Sequence, residues 1–81
     1  MKKGVNSMAF DYSKLKGRIV EKYGKQREFA KALGCSEHTL SLKMNGKVPW
    51  KQPEIISAMR LLELENENIQ EYFFTLKVQM F

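Results

Sequence analysis

Between Ser36 and Asn45 the chain reads Ser-Glu-His-Thr-Leu-Ser-Leu-Lys-Met-Asn. Taken as a helix at about 100° per residue, this run puts Leu40 and Met44 on one face. His38, Leu42 and Asn45 lie opposite them, with Ser41 alongside. An unpaired outward leucine among hydrogen-bonding side chains is odd for a face that meets only water. Against the major groove of duplex DNA the set makes chemical sense. Leu42 suits thymine methyls, Glu37 can accept from a cytosine amino group, and His38 can donate to guanine N7. Ser36, Glu37, His38 and Thr39 form the N-terminal end of the helix, the part that reaches base edges when a helix docks in this way. Two of these residues have plainer uses as well. Glu37 equally suits the positive end of its own helix dipole, and His38 an ordinary exposed position.

A face of this kind has to be held by other elements, and the preceding residues fit two short helices meeting across a tight turn. Gln26 is followed by Phe29-Ala30, Leu33-Gly34, Ser36 and Leu40. Ala30 is small where a second helix must cross close to the first. Gly34 can take the left-handed conformation that ends the first helix. Ser36 can cap the second, with Leu40 pointing back into the junction. The spacing predicts helices over about Lys25–Leu33 and Ser36–Asn45.

Upstream, Asp11 can cap a helix from Tyr12 to about Tyr23, with Tyr12, Leu15, Ile19 and Tyr23 on one face and Gly24 as its stop. Gly17 weakens that helix by about 1 kcal/mol relative to alanine, which suggests close packing there. Downstream, Gly46-Lys47-Val48-Pro49-Trp50 is rich in breakers. Pro53 suits the first turn of a fourth helix that turns Ile55, Ile56, Met59 and Leu62 inward. Asn66 can cap a fifth, with Ile69, Tyr72 and Phe73 on one side. Leu76-Lys77-Val78-Gln79-Met80 alternates apolar and polar, so it reads as a short strand. A strand needs a backbone partner, from another chain or from a segment near the N-terminus; a tail lying across the helices is the alternative. The expected organisation is an N-terminal extension or arm over residues 1–10, an all-α five-helix domain over residues 11–74, and a strand-like tail over residues 75–81.

Eighty-one residues make one small domain. The composition, 43% hydrophobic and 28% charged, is that of a folded soluble protein. No apolar run approaches the roughly 20 residues that span a bilayer. The opening Met-Lys-Lys-Gly-Val-Asn-Ser-Met has no apolar signal core, so a cytoplasmic setting is expected. One cysteine and one histidine make neither an internal disulfide nor a zinc site, and Cys35 is expected to be a buried, inert thiol. Residues 1–51 carry twelve Lys/Arg against four Asp/Glu, a net +8, whereas residues 52–81 carry two against five, a net −3. The basic part contains the paired helices, as a protein docking one side on a polyanion requires.

The run Q-x-x-F-A-x-x-L-G-x-S-x-x-x-L-S from Gln26 to Ser41, continued by Asn45-Gly46-Lys47, resembles the helix-turn-helix of the lambda-repressor and Cro superfamily. The likeness is to the small Cro-like phage regulators of the xenobiotic-response-element type, and it is strongest over residues 12–47. Phe10 to Arg18, Trp50-Lys51-Gln52 and the Glu71–Phe74 block extend it. The resemblance implies a five-helix DNA-binding domain whose second and third helices form the motif. It places Gln26, Asn45 and Lys47 where family members grip the DNA backbone, assisted by the N–H groups that open the second helix. Lys43 is assigned to the phosphates too, although the family usually buries an apolar residue at that position. Lys25 stands where a Thr or Ser cap is common. Lys2 and Lys3 fit a basic arm along the duplex, or a disordered terminus.

The reading that follows is a sequence-specific regulator of double-stranded DNA, most simply a phage or prophage repressor. One such motif reads only half a turn of groove, so a homodimer on an inverted repeat is expected. Tyr72, Phe73, Leu76, Val78 and Met80 in the acidic C-terminal part are the candidate interface, and Cro-type regulators that pair a terminal strand are the parallel. The rival reading is an antitoxin or antirepressor that uses the same fold to hold a protein partner, with Tyr72, Phe73 and Phe74 as exposed apolar surface. No cofactor, metal, membrane or small-molecule ligand is expected. An enzyme is not expected either, because the sequence has no Ser-His-Asp or Cys-His arrangement, phosphate loop or credible pair of carboxylates.

Overall fold

The computed structural model describes residues 10–77. Five α-helices follow one another: α1 Ser13–Tyr23, α2 Gln26–Leu33, α3 Glu37–Met44, α4 Gln52–Leu61 and α5 Ile69–Phe73. A single 3-10 turn over Asn66–Asn68 leads into α5. The fold is all-α, as expected. Helix α2 is central and packs on α1, α3 and α4, while α5 closes against α1.

Each helix begins and ends for a local reason. Asp11 accepts from the Ser13 amide at 2.9 Å and from the Ser13 hydroxyl, although the N-cap position itself is Tyr12 and Asp11 stands one residue before it. These bonds hold its carboxyl below the usual carboxylate range. Gly24, at φ 80°, ends the helix. Pro53 sits in the first turn of α4, and Glu54 Oε1 accepts from the Lys51 amide at 2.8 Å. At the 3-10 turn it is Asn68, rather than Asn66, that satisfies the backbone, its Oδ1 accepting from the Glu65 amide at 3.0 Å.

The core draws on every helix: Leu15 and Ile19, Phe29 and Ala30, Leu40, Ile55, Ala58 and Met59 with Leu62 beyond α4, and Phe73. Burying side chains of this size contributes about 1.5–3 kcal/mol each. Two expectations about packing fail. Ile56 is 57% exposed, because it lies a full 100° from Ile55 on a helix whose inward stripe is Ile55, Ala58 and Met59. Gly17 is exposed and a Cβ there would meet nothing, so no close approach requires it. Cys35 is half-buried against the core; burial pushes its thiol up, with the nearby Lys43 charge opposing and the Glu54 charge adding.

Among the described residues the tail forms no strand. A single antiparallel bridge joins Phe10 to Leu76, and the Asp11 amide donates to the Thr75 carbonyl at 2.6 Å. The partner is therefore the segment near the N-terminus of the same chain, one of the two options that the alternation leaves open. Val78, Met80, Lys2 and Lys3 lie outside the described residues.

Candidate nucleic-acid interface

The junction of α2 and α3 is built almost entirely from local bonds. Gly34 takes the left-handed conformation at φ 92°, and the Gly34 and Cys35 amides both donate to the Ala30 carbonyl. Ser36 Oγ accepts from the Thr39 amide at 3.0 Å and its hydroxyl donates to Thr39 Oγ1 at the same distance. The cap therefore already employs two side chains of the expected base-reading set. Leu40 is fully buried beneath the junction.

The outward side of α3 keeps Glu37 and His38 exposed, with Thr39, Ser41 and Leu42 partly so. Beyond it Asn45 and Lys47 are exposed. The Asn45 amide side chain faces the Ser41 hydroxyl at 3.5 Å. The Lys47 and Val48 amides fold back onto the Leu42 carbonyl at 2.9 and 3.3 Å, around Gly46 at φ 75°. Gln26, Ser41 and Asn45 line one open groove with a volume of about 1030 Å³, together with Lys16, Trp50 and Phe74. The groove thus brings together the start of α2 and the end of α3.

Lys43 does not join them. Its residue surface is only 3% exposed, and its ammonium lies 2.8 Å from Glu54 Oε1 and 3.3 Å from the Pro49 carbonyl. The side chain is buried at the end of α3, and it carries its counterion in with it. A phosphate contact from Lys43 would require breaking that pair. Burial pushes the Glu54 carboxyl up, but the hydrogen bonds from Lys43 and the Lys51 amide and those two charges outweigh it, holding the group below its ordinary value.

Other cations are also spoken for: Lys14 by Glu71, Arg18 by Glu21, Lys22 by Glu63 and Lys31 by Glu28. Among the described residues, Lys16, Lys25, Arg27, Lys47 and Lys51 in the basic part form no ion pair. Lys16 and Lys77 both line the groove, and the sequence pointed to neither as a contact. For Lys16 a hint existed, since it falls on the outward side of the α1 stripe Leu15, Ile19.

The proposed dimer residues separate as sharply. Phe73 is 1% exposed and stacks edge-on against Trp50 at 5.2 Å, so it is a core residue and leaves the interface set. Tyr72 is half-buried against the core, while Leu76 is 53% exposed. Phe74, 37% exposed, meets Phe10 edge-on at 5.8 Å, which makes a small apolar seam with Leu76. Among the described residues no three His, Cys, Asp or Glu side chains converge as a metal site, and no helix is long and apolar enough to cross a membrane.

Residues 8–76 match the family described as "Protein of unknown function (DUF739)". The chain belongs to that family. It is also similar to a solved structure, the solution structure of the modulator of repression (MOR) of the temperate bacteriophage TP901-1 from Lactococcus lactis. The two share 53% identity over 90% of this chain and 99% of that one, with a TM-score of 0.74. A comparison with curated proteins found no match. The family match spans all five helices and the Phe10–Leu76 bridge, so the likeness reaches well beyond α2 and α3.

Proposed function

We propose that this protein is a phage regulator that binds duplex DNA through the outward face of α3. Glu37, His38, Ser41 and Leu42 face base edges, with Ser36 and Thr39 at the capped end. Gln26, Asn45 and Lys47 hold the phosphates, with Lys16 beside them. The observation that carries this reading is the groove that joins the start of α2 to the end of α3 next to cations without ion pairs. The similarity to a phage modulator of repression supports a regulatory role. A homodimer formed through Tyr72 and Leu76 doubles the reading surface and asks for half-sites about 34 Å apart.

Selection of bound sequences from a random duplex pool tests this directly. Binding should fall by about three decades between 50 and 200 mM salt if roughly six phosphates are contacted per dimer.

A second reading has its own support. The relative is named for modulating repression, the α3 face itself carries no unpaired cation among the described residues, and the seam with Phe10 leaves Phe74 and Leu76 exposed. In that reading the protein acts by holding a regulatory protein, such as a repressor. No retained duplex, or a flat salt response, would favour it over DNA binding.

A further inference from the structure

The loop Asn45–Lys51 follows α3 directly and carries two of the proposed phosphate contacts, yet it belongs to no helix. Its glycine is left-handed and its Pro49 has no amide to donate. Two backbone amides return to the Leu42 carbonyl. The Asn45 and Gly46 amides return to the Ser41 and Lys43 carbonyls, and the Trp50 ring packs on Phe73. A further attachment is made by one side chain. The Lys43 ammonium donates to the Pro49 carbonyl and to Glu54 Oε1, the same oxygen that accepts from the Lys51 amide, and it lies 5.9 Å from the centre of the Trp50 ring. One buried cation therefore touches the loop at Pro49 and Trp50 and, through Glu54, at Lys51.

Burying an ammonium ion is costly, and an apolar side chain of similar length often packs there with no loss of stability. An apolar chain, however, has no donor for a loop carbonyl or for a carboxylate on α4. We propose that Lys43 is a positioning residue, whose buried ammonium clips the Asn45–Lys51 loop to α3 and to Glu54 of α4 and so fixes where Asn45 and Lys47 stand beside the α3 face. Its effect on binding rests on the DNA reading above; the clip itself does not.

Two arms test this. The first measures amide hydrogen exchange at Lys47 and Val48 in Lys43→Met and Glu54→Gln, with Leu40 and Leu62 as core references. The clip predicts loop exchange faster by about tenfold relative to those references, the size of one charge-assisted hydrogen bond. If either single variant fails to fold, the paired Lys43→Met/Glu54→Met variant removes both charges and keeps the volume apolar. Unchanged loop exchange in the variants overturns the proposal.

The second arm measures DNA affinity and its salt dependence. Glu54→Gln separates the alternatives by sign. A positioning Lys43 predicts that both single variants weaken binding to all sequences without changing the salt slope, and that their combined effect is less than additive. A Lys43 that contacts phosphate directly predicts tighter binding in Glu54→Gln and a slope reduced by about one in Lys43→Met, and that result also overturns the proposal. If the wild-type protein binds no duplex, the DNA reading falls and the exchange arm decides the clip on its own.

Discussion

The α2–α3 junction and the seam at Phe10 and Leu76 are both places where the chain turns polar backbone groups back on themselves, but they do so over very different spans. At the junction, each bond closes within five residues: Cys35 to Ala30, Thr39 to Ser36, Leu40 to Ser36. At the seam, Asp11 meets Thr75, sixty-four residues away in sequence. The first needs only the right residue types in the right order. The second exists only because α1 and α5 already pack together and bring the two ends into register. The junction should therefore depend on individual backbone and capping residues, and the seam on the core beneath it.

That contrast can be broken most forcefully at α5. Phe73→Ala should cost about 3–5 kcal/mol in a denaturant titration, as expected for a large buried aromatic, and should loosen the Phe10–Leu76 bridge with it. Leu76→Ala should stay within about 0.5 kcal/mol. Equal costs at the two positions would mean that the seam holds α5 rather than the reverse. At the junction, Gly34→Ala should cost about 1 kcal/mol or more, because φ is 92° there while the space for a Cβ is open. Ser36→Ala should cost about 1 kcal/mol through the lost cap.

Gly17→Ala is the control with the opposite sign. Its position is helical and its surroundings open, so thermal unfolding should show a gain of about 0.5–1 kcal/mol. A loss would restore the close packing that the glycine first suggests. The subtlest test is acid. The folded Glu54 carboxyl lies below its ordinary value of 4.5, so its stabilising effect is complete above that value and is lost as pH falls through the lower folded one. Wild type should therefore lose more stability on acidification than Glu54→Gln, in chemical unfolding followed below pH 4.5.

What was legible in the sequence follows the same division. The cap at Ser36, the left-handed Gly34, the inward Leu40 and the stop at Gly24 depend on neighbours within one turn, and residue type and spacing suffice to find them. Lys43 and Phe73 were misplaced because their surroundings come from elsewhere. Lysine at an ambiguous angle on α3 reads as solvent-facing until α4 supplies Glu54, eleven residues on. Phe73 and Phe74 are adjacent aromatics, and nothing in their types says which one Trp50 will receive. Ile56 beside Ile55 posed the same choice on α4. On α3, helical angle sufficed to say which side chains stay at the surface, whereas placing Lys16 at the groove needed the approach of α1.

Trp50 is the chain's single tryptophan, with the Lys43 ammonium over its ring and the Phe73 ring packed edge-on against it. Its indole emission is therefore a built-in optical gauge of the joint between the α3 loop and α5, requiring no label. A positive charge 5.9 Å from the ring centre biases the energy of its excited state. Loss of the Lys43–Glu54 pair should shift the emission wavelength while the helical circular dichroism signal persists. Global unfolding should change both together. The same cuvette can thus tell a loosened loop from a melted domain, whichever partner the loop meets.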